Sequence, residues 1–454
     1  MFKKYGRRKF IRHSAMAGVG FSLMHASVFA TEKKDKVRIG LIAVGGRGQV
    51  HLVEMLKRAD VEVVAMADPD RMMMEKARKI AGAYNKQLPA EYTNGDFDYR
   101  NLLQRDDIDA VIISSPWAWH LRHAVDAMNA GKMVGVEVGC ALSLDDCWEF
   151  VNTYERTGTP IMILENVCYR RDIMAVRNMV QKGMFGELLH VQGGYQHDMR
   201  ARKFNDGTHP DTPGVEFGEK TSGTPKWRTQ YSIDRNGDLY PTHGLGPVAR
   251  MLYINRGNAL TRLSSVATKA RGLHRYIVNH PMGGERHPNA KIKFKLGDIV
   301  TTQIQTANEE TIVLTHDTSS PRPYNLGFRV QGTKGIWQEY GSGSFSDGFI
   351  FFEDSSPEHS WEDPEKYMRA YDHPEWRKLG SEVEKEGHGG MDYFVDDAFI
   401  ECIKRNVPFP LDVYDLATWY AITPISEMSV REGGRLQTIP DFTRGKWQNR
   451  RPDQ

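Results

Sequence analysis

The chain is 454 residues long, enough for two domains, and its 40% hydrophobic and 26% charged residues are ordinary for a globular chain with a core. Its 42 glycines and 21 prolines are near average usage, which excludes collagen-like and low-complexity disordered readings. The formal charge is +2, but residues 1–30 hold six bases and no acid; the 54 bases and 58 acids beyond them leave −4, which excludes a nucleic-acid-binding balance.

The first thirty residues read as an export signal. Arg7-Arg8-Lys9-Phe10-Ile11-Arg12 is followed by an uncharged stretch from Ser14 to Phe29, with Val28-Phe29-Ala30 before an expected cut after Ala30. The adjacent arginines point to the twin-arginine translocation machinery, and hence to a periplasmic or secreted protein. The stretch is too short, and too interrupted by His25 and several Ser and Gly, for a stable membrane anchor. That route moves folded proteins, commonly with a cofactor aboard. Folding in a reducing compartment predicts that Cys140, Cys147, Cys168 and Cys402 are free.

Residues 31–160 alternate strand and helix. Apolar, β-branched runs at 37–44, 61–67, 108–113 and 133–138 read as buried strands. Helical patterns at 49–58, 70–83, 120–130 and 144–157 separate them. This rhythm predicts an α/β, doubly wound parallel sheet of Rossmann type. The first strand-to-helix turn, Ala43-Val44-Gly45-Gly46-Arg47-Gly48, matches the dinucleotide fingerprint with alanine at its first glycine. Asp68, 20 residues past Gly48, closes the second strand, where a carboxylate accepts from an adenosine ribose and favours NAD over NADP. Trp117, Ala118, Trp119 and His120 after one strand, and Glu137 and Val138 at the end of another, should line the same crevice.

Residues 161–454 change rhythm. Strands are expected at 188–197, 262–270, 299–307, 311–316 and 328–331, with a hairpin turn at Asn308-Glu309-Glu310. Surface loops and short helices are expected over 341–390, and helices over 391–405 and 415–431. This predicts an α+β domain with a largely antiparallel open sheet. His274, His280 and His287 are irregularly spaced in a Gly/Pro loop, which argues against a metal site.

At the cofactor crevice the chain resembles the Gfo/Idh/MocA oxidoreductases. Enzymes of that superfamily usually end the strand near residue 137 with Glu-Lys-Pro and use the lysine; here the residues are Glu137-Val138-Gly139. Leu164-Glu165-Asn166-Val167-Cys168-Tyr169, Gly193-Gly194-Tyr195-Gln196-His197-Asp198, Lys226-Trp227-Arg228-Thr229, Leu239-Tyr240-Pro241-Thr242-His243-Gly244 and Gly387-His388-Gly389-Gly390-Met391-Asp392-Tyr393 are similar to glycoside hydrolase family 109. The similarity runs from about Lys36 to Trp447 and implies an exported, NAD-containing α-N-acetylgalactosaminidase acting on terminal glycan sugars. It implies NAD contacts at Gly46, Arg47, Asp68, Trp117 to His120, Glu137, Val138 and Asn166, and at Thr212, Pro213, Gly214, Val215 and Glu216. Sugar contacts are implied for Glu165, Tyr195, Arg228, Tyr240 through Pro241 and Thr242 to His243, and Tyr324.

Most glycosidases set two carboxylates about the scissile bond, with NAD-dependent families as exceptions. With NAD, oxidation at the sugar C3 acidifies the C2 proton, the C1 aglycone leaves by elimination, water adds and the hydride returns. His243 suits the O3 proton and Tyr195 the C2 proton, with Arg228 expected to lower the phenol's pKa or to hold the N-acetyl group. Glu165 is expected to assist departure at C1, to bind hydroxyls, or only to pair with Arg170 or Arg171. A periplasmic NAD(P)-dependent sugar dehydrogenase is the competing reading, and the missing lysine counts against it. Oligomeric state is open, with a homo-oligomer possible in principle.

Overall fold

A computed structural model describes residues 35–84, 87–341, 344–385 and 387–451; the expected export signal lies outside them. The first sheet is built from β1 (Val37–Ile42), β2 (Val61–Ala67), β3 (Ala90–Tyr92), β4 (Ala110–Ile113), β5 (Met133–Val136) and β6 (Ile161–Ile163). Its order is β3-β2-β1-β4-β5-β6 and every pairing is parallel. The inner strands β1, β4 and β5 are mostly apolar and buried because helices cover both faces. Those helices are α1 (Gly46–Lys57), α2 (Arg71–Ala83), α3 (Tyr99–Leu103), α4 (Trp117–Asn129) and α5 (Leu144–Thr157). Asp70 caps α2, and a reciprocal Ser143–Asp146 box opens α5, which Gly158 ends in the left-handed conformation.

The bounds differ from expectation where function begins. Helix α1 starts at Gly46 rather than Gln49, and α4 at Trp117 rather than His120, so residues expected in loops form first helical turns. β6 completes the parallel sheet, which therefore runs past the expected division at residue 160.

The second domain holds α6 (Arg171–Gln181), β7 (Leu188–Gln196), α7 (Arg200–Lys203), α8 (Arg228–Asp234), α9 (Thr242–Met251), β8 (Leu260–Ala267), α10 (Gly272–Asn279), β9 (Ile299–Thr306) and β10 (Thr311–Asp317). It continues with β11 (Arg329–Gly332), β12 (Gly335–Gln338), β13 (Phe349–Phe352), α11 (Glu365–Tyr371), α12 (Pro374–Val383), α13 (Met391–Arg405), α14 (Val413–Arg431) and β14 (Gln437–Thr438). Its eight strands run β13-β12-β11-β7-β10-β9-β8-β14, antiparallel except at β7–β10. The 309 turn is present, with Glu309 at φ 72°. β12 and β13 were not expected as strands; β13 lies in the stretch expected to be loops and short helices.

Two helices of this domain pack back on the first. Helix α14 is buried on almost every side, between α5, β6 and β8, which explains its apolar circumference. Helix α13 lies on α1, and a buried charge cluster ties them. The Arg47 guanidinium bonds Glu137 Oε1 at 2.5 Å and both oxygens of Asp392 at 2.7 and 2.8 Å. His51, fully buried, donates to Glu137 at 2.8 Å and to Asp396 at 2.9 Å.

Helix α9 escaped the sequence reading because Gly244, Gly246 and Pro247 interrupt its pattern. The glycines have a packing reason. A Cβ at Gly244 would meet Gly194 N at 2.3 Å, and one at Gly193 would meet Gly244 O at 2.3 Å. Backbone therefore touches backbone where α9 crosses β7, which brings His243 beside Tyr195.

Candidate active site

The dinucleotide turn leaves donors free. Ala43 takes φ 70°, the glycine-like conformation the fingerprint asks of that position, and a Cβ at Gly48 would strike Ala43 O at 2.2 Å. Helix α1 has Gly45 as N-cap and no side-chain cap, so its first N–H groups and dipole suit a pyrophosphate. Asp68 accepts from Val44 N–H at 2.8 Å and Asp70 N–H at 2.8 Å, which fixes its carboxylate at the strand end; burial raises its pKa. Asn166 donates to Asp392 at 2.8 Å, while its buried Oδ1 has no partner, an acceptor left over for a bound amide or hydroxyl. These features fit NAD.

Several other expected residues have bonding partners within the protein. Glu137 accepts from Arg47 and His51 through one oxygen and from Val138 N–H through the other, so its side chain has its partners already. Arg47 and His51 hold its pKa near 2 despite burial. His120 turns inward, bonding Ser115 O at 2.8 Å and Tyr420 Oη at 3.1 Å, and burial lowers its pKa to about 4; it braces the crevice wall. Trp119 stacks on His123, while Ala118 is exposed. Thr212 to Glu216 is fastened inside the second domain: Glu216 pairs with Asn205 backbone to backbone, and Val215 sits in a small apolar cluster with Phe204 and Ile277. Val138, an apolar side chain, stands where the missing lysine would be, and a Cβ at the following Gly139 would lie 2.7 Å from the Trp117 ring.

Beside the crevice stands an aromatic box. The Tyr195 and Tyr240 rings are 4.4 Å apart, with His243 at 5.4 and 4.9 Å from them and Tyr324 at 6.4 Å from Tyr195. Trp117 of the first domain closes it, 5.6 Å from Tyr240, and the Arg228 guanidinium lies over both rings at 4.8 and 5.0 Å. Pro241 opens α9, and Thr242 is buried with its hydroxyl unpartnered.

His243 donates from Nδ1 to Glu165 Oε1 at 2.7 Å, which leaves Nε2 as the acceptor of the neutral ring. Glu165 is 0% exposed and also accepts from Val167 N–H at 3.0 Å. It therefore stands behind His243, and its other oxygen, Oε2, has no partner among the described residues. Nor does it pair with Arg170 or Arg171, whose partners are Asp172 and Glu339, and Asp372 and Glu384.

Burial raises the Tyr195 phenol's pKa, and Arg228 opposes this without overcoming it. A neighbour passed over in the sequence changes its chemistry: His197 Nδ1 lies 3.0 Å from Tyr195 Oη. Burial, Arg228 and Arg202 hold His197 neutral, with a pKa of about 4. Its spacing of two from Tyr195 along a strand places both on one face, the signal that could have found it. Among the described residues no group of three or more metal-ligating side chains stands together, and no helix is long and apolar enough to cross a membrane. No disulfide joins any of the four cysteines among the described residues.

The chain's relatives agree with this division. Residues 37–164 match the oxidoreductase family with an NAD-binding Rossmann fold, and residues 169–449 match the glycosyl hydrolase 109 C-terminal domain. A glycosyl hydrolase family 109 protein of Stenotrophomonas maltophilia is 48% identical over 98% of this chain and 97% of its own. An alpha-N-acetylgalactosaminidase of Tannerella forsythia is 43% identical over 98% of each. Among solved structures, a levoglucosan dehydrogenase complex with NADH and levoglucosan superposes with a TM-score of 0.64 at 16% identity, over 89% of this chain and all of that one, a likeness of fold. The chain thus belongs to glycosyl hydrolase family 109, glycoside hydrolases that carry NAD on a Rossmann domain.

Proposed function

We propose that this enzyme releases terminal α-linked N-acetylgalactosamine by oxidation at C3, elimination across C2–C1, hydration and reduction. The observation that carries the reading is the shared wall: Trp117 of the dinucleotide crevice also closes the box in which His243, bonded to buried Glu165, stands beside Tyr195. A direct displacement at C1 needs carboxylates that reach the bond. NAD held by the α1 N-terminus, Asp68 and Asn166 would supply the hydride acceptor and donor that such a cycle needs.

The chain's own groups move the protons. His243 Nε2 takes the O3 proton, and Glu165 holds the tautomer and steadies the imidazolium that forms. Tyr195 takes the C2 proton in its phenolate form, which the nearby Arg228 charge favours, and neutral His197 stands 3.0 Å from its oxygen. Arg228, flat between Trp117 and Tyr240, meets the negative charge that grows on the ketone side of the sugar. Tyr240 and Tyr324 wall the ring. Export by the twin-arginine route, with NAD already loaded, suits a cycle that consumes no cofactor.

Purified protein given a chromogenic α-N-acetylgalactosaminide, without added NAD, should release the aglycone over many turnovers. Accumulation of NADH with free sugar would instead make it a dehydrogenase.

A further inference from the structure

We propose that the outer face of the second sheet carries a glycan-binding site, separate from the aromatic box, that holds neutral sugars of the substrate chain while its terminal sugar is cut. Register sets Val313, Gln192, Arg329, Gln338 and Phe349 in one row across β10, β7, β11, β12 and β13. Their strand neighbours Val191, Val330, Trp337 and Ile350 are buried in the core, so the row lies on the opposite face. A cleft of about 380 Å³ opens there, between this row and the loop at 322–327, a volume that suits a small ligand.

The charged groups of the cleft are already matched. Arg322 bonds Asp317 at 3.2 Å and Gln196 Oε1 at 2.7 Å, and Glu339 accepts from Arg170 at 2.7 Å. What stays open is neutral: Gln196 Nε2, the Gln338 amide, the Thr315 hydroxyl and Tyr340 Oη have no bonding partner among the described residues. Amides and hydroxyls of this kind both donate and accept, as the hydroxyls of a neutral sugar do. Beside the cleft stands an aromatic ridge. Tyr340, 70% exposed, meets Phe349 edge to face at 5.8 Å, and Phe349 meets Trp361, 52% exposed, at 6.0 Å. Backbone bonds of 2.9 and 3.1 Å between Ile350 and Glu362 hold Trp361 against β13. Contiguous exposed rings mark a binding surface, and an aromatic face takes the C–H side of a pyranose.

The cleft and the box share a wall. Gln196 follows Tyr195 on β7 and Asn325 follows Tyr324, the first of each pair facing the cleft and the second lining the box. Gln196 and Asn325 pair through their backbones at 3.0 and 3.2 Å. A glycan held in the cleft therefore keeps its ends near the box, which raises their effective concentration there. The inference rests on the proposed glycan-terminal substrate and not on the redox cycle.

Desialylated mucin, whose chains are neutral, serves as the probe. Its binding to His243→Ala enzyme is read by affinity electrophoresis, and KM and kcat of active enzyme are measured on mucin and on the chromogenic galactosaminide. Tyr340→Ala and Trp361→Ala should each weaken mucin binding about tenfold and raise KM on mucin as much, with kcat unchanged. Neither should alter kinetics on the chromogenic galactosaminide, which is too short to reach the cleft. Trp361→Phe keeps a ring and should restore binding. Because both aromatic residues are largely exposed, either variant tests the idea if the other fails to fold. Mucin binding that is absent in wild type or unchanged in both alanine variants would overturn the site, as would equal losses on the two substrates. A smaller particle in gel filtration with mucin binding intact would make the ridge a contact between copies of the chain, and also overturn it. If these residues bind mucin yet wild type never cleaves the galactosaminide, the site stands and the proposed activity falls; cleavage with unaltered KM on mucin gives the reverse.

Discussion

His243 acquires its orientation from Glu165, a carboxylate buried behind it. Glu165 gives the imidazole one orientation and one tautomer, and its charge is worth most when the ring becomes cationic. Glu165→Gln keeps the shape and an oxygen for Val167 N–H but removes the charge. It should lower kcat about 100-fold with bound NAD unchanged. Steady-state kinetics beside a nucleotide count checks this, and an unaltered kcat would return Glu165 to a packing role. The residue types of this site were legible in the sequence, since Tyr195, His243, Arg228 and Glu165 all stand around one box. Their depth was not: Glu165 and His120 face inward because of the short 3-10 turn at Asn166–Tyr169 and the start of α4, which no local pattern encodes. His197 was legible in principle from its strand spacing to Tyr195.

Helices α1 and α13 are joined by charges rather than apolar packing alone, and the junction is pH-sensitive. His51 stands between Glu137 and Asp396, whose carboxylates raise its pKa to about 10 against its burial. Burial and the nearby Asp392 raise the Asp396 pKa as well, against the lowering pull of His51. A pKa raised on folding means that stability from this contact is full below about pH 6.5 and drains away as pH rises towards 10. His51→Gln should therefore be less stable than wild type near pH 6, by about 3–5 kcal/mol for carboxylates left without their cation. The gap in unfolding midpoint should close as pH approaches 10; a gap independent of pH would contradict the assignment. At this scale the Rossmann elements were legible because strand and helix periods alternate cleanly. Helix α9 was not, because Gly244 and Pro247 serve contact with β7 at the expense of local propensity.

Across the whole molecule, two domains meet so that one aromatic box opens on the dinucleotide crevice, with Trp117 shared by both. A redox cofactor and a hydrolytic outcome are reconciled if the hydride leaves and returns within one turnover. Oxidation at C3 followed by elimination breaks the C2–H bond, which direct displacement at C1 leaves intact. The decisive measurement uses an α-N-acetylgalactosaminide deuterated at C2 and turned over in ordinary water, with mass analysis of the released sugar. The account predicts that label is lost to solvent in step with aglycone release, and that His243→Ala abolishes both. Full retention of deuterium at C2 during wild-type turnover would contradict it.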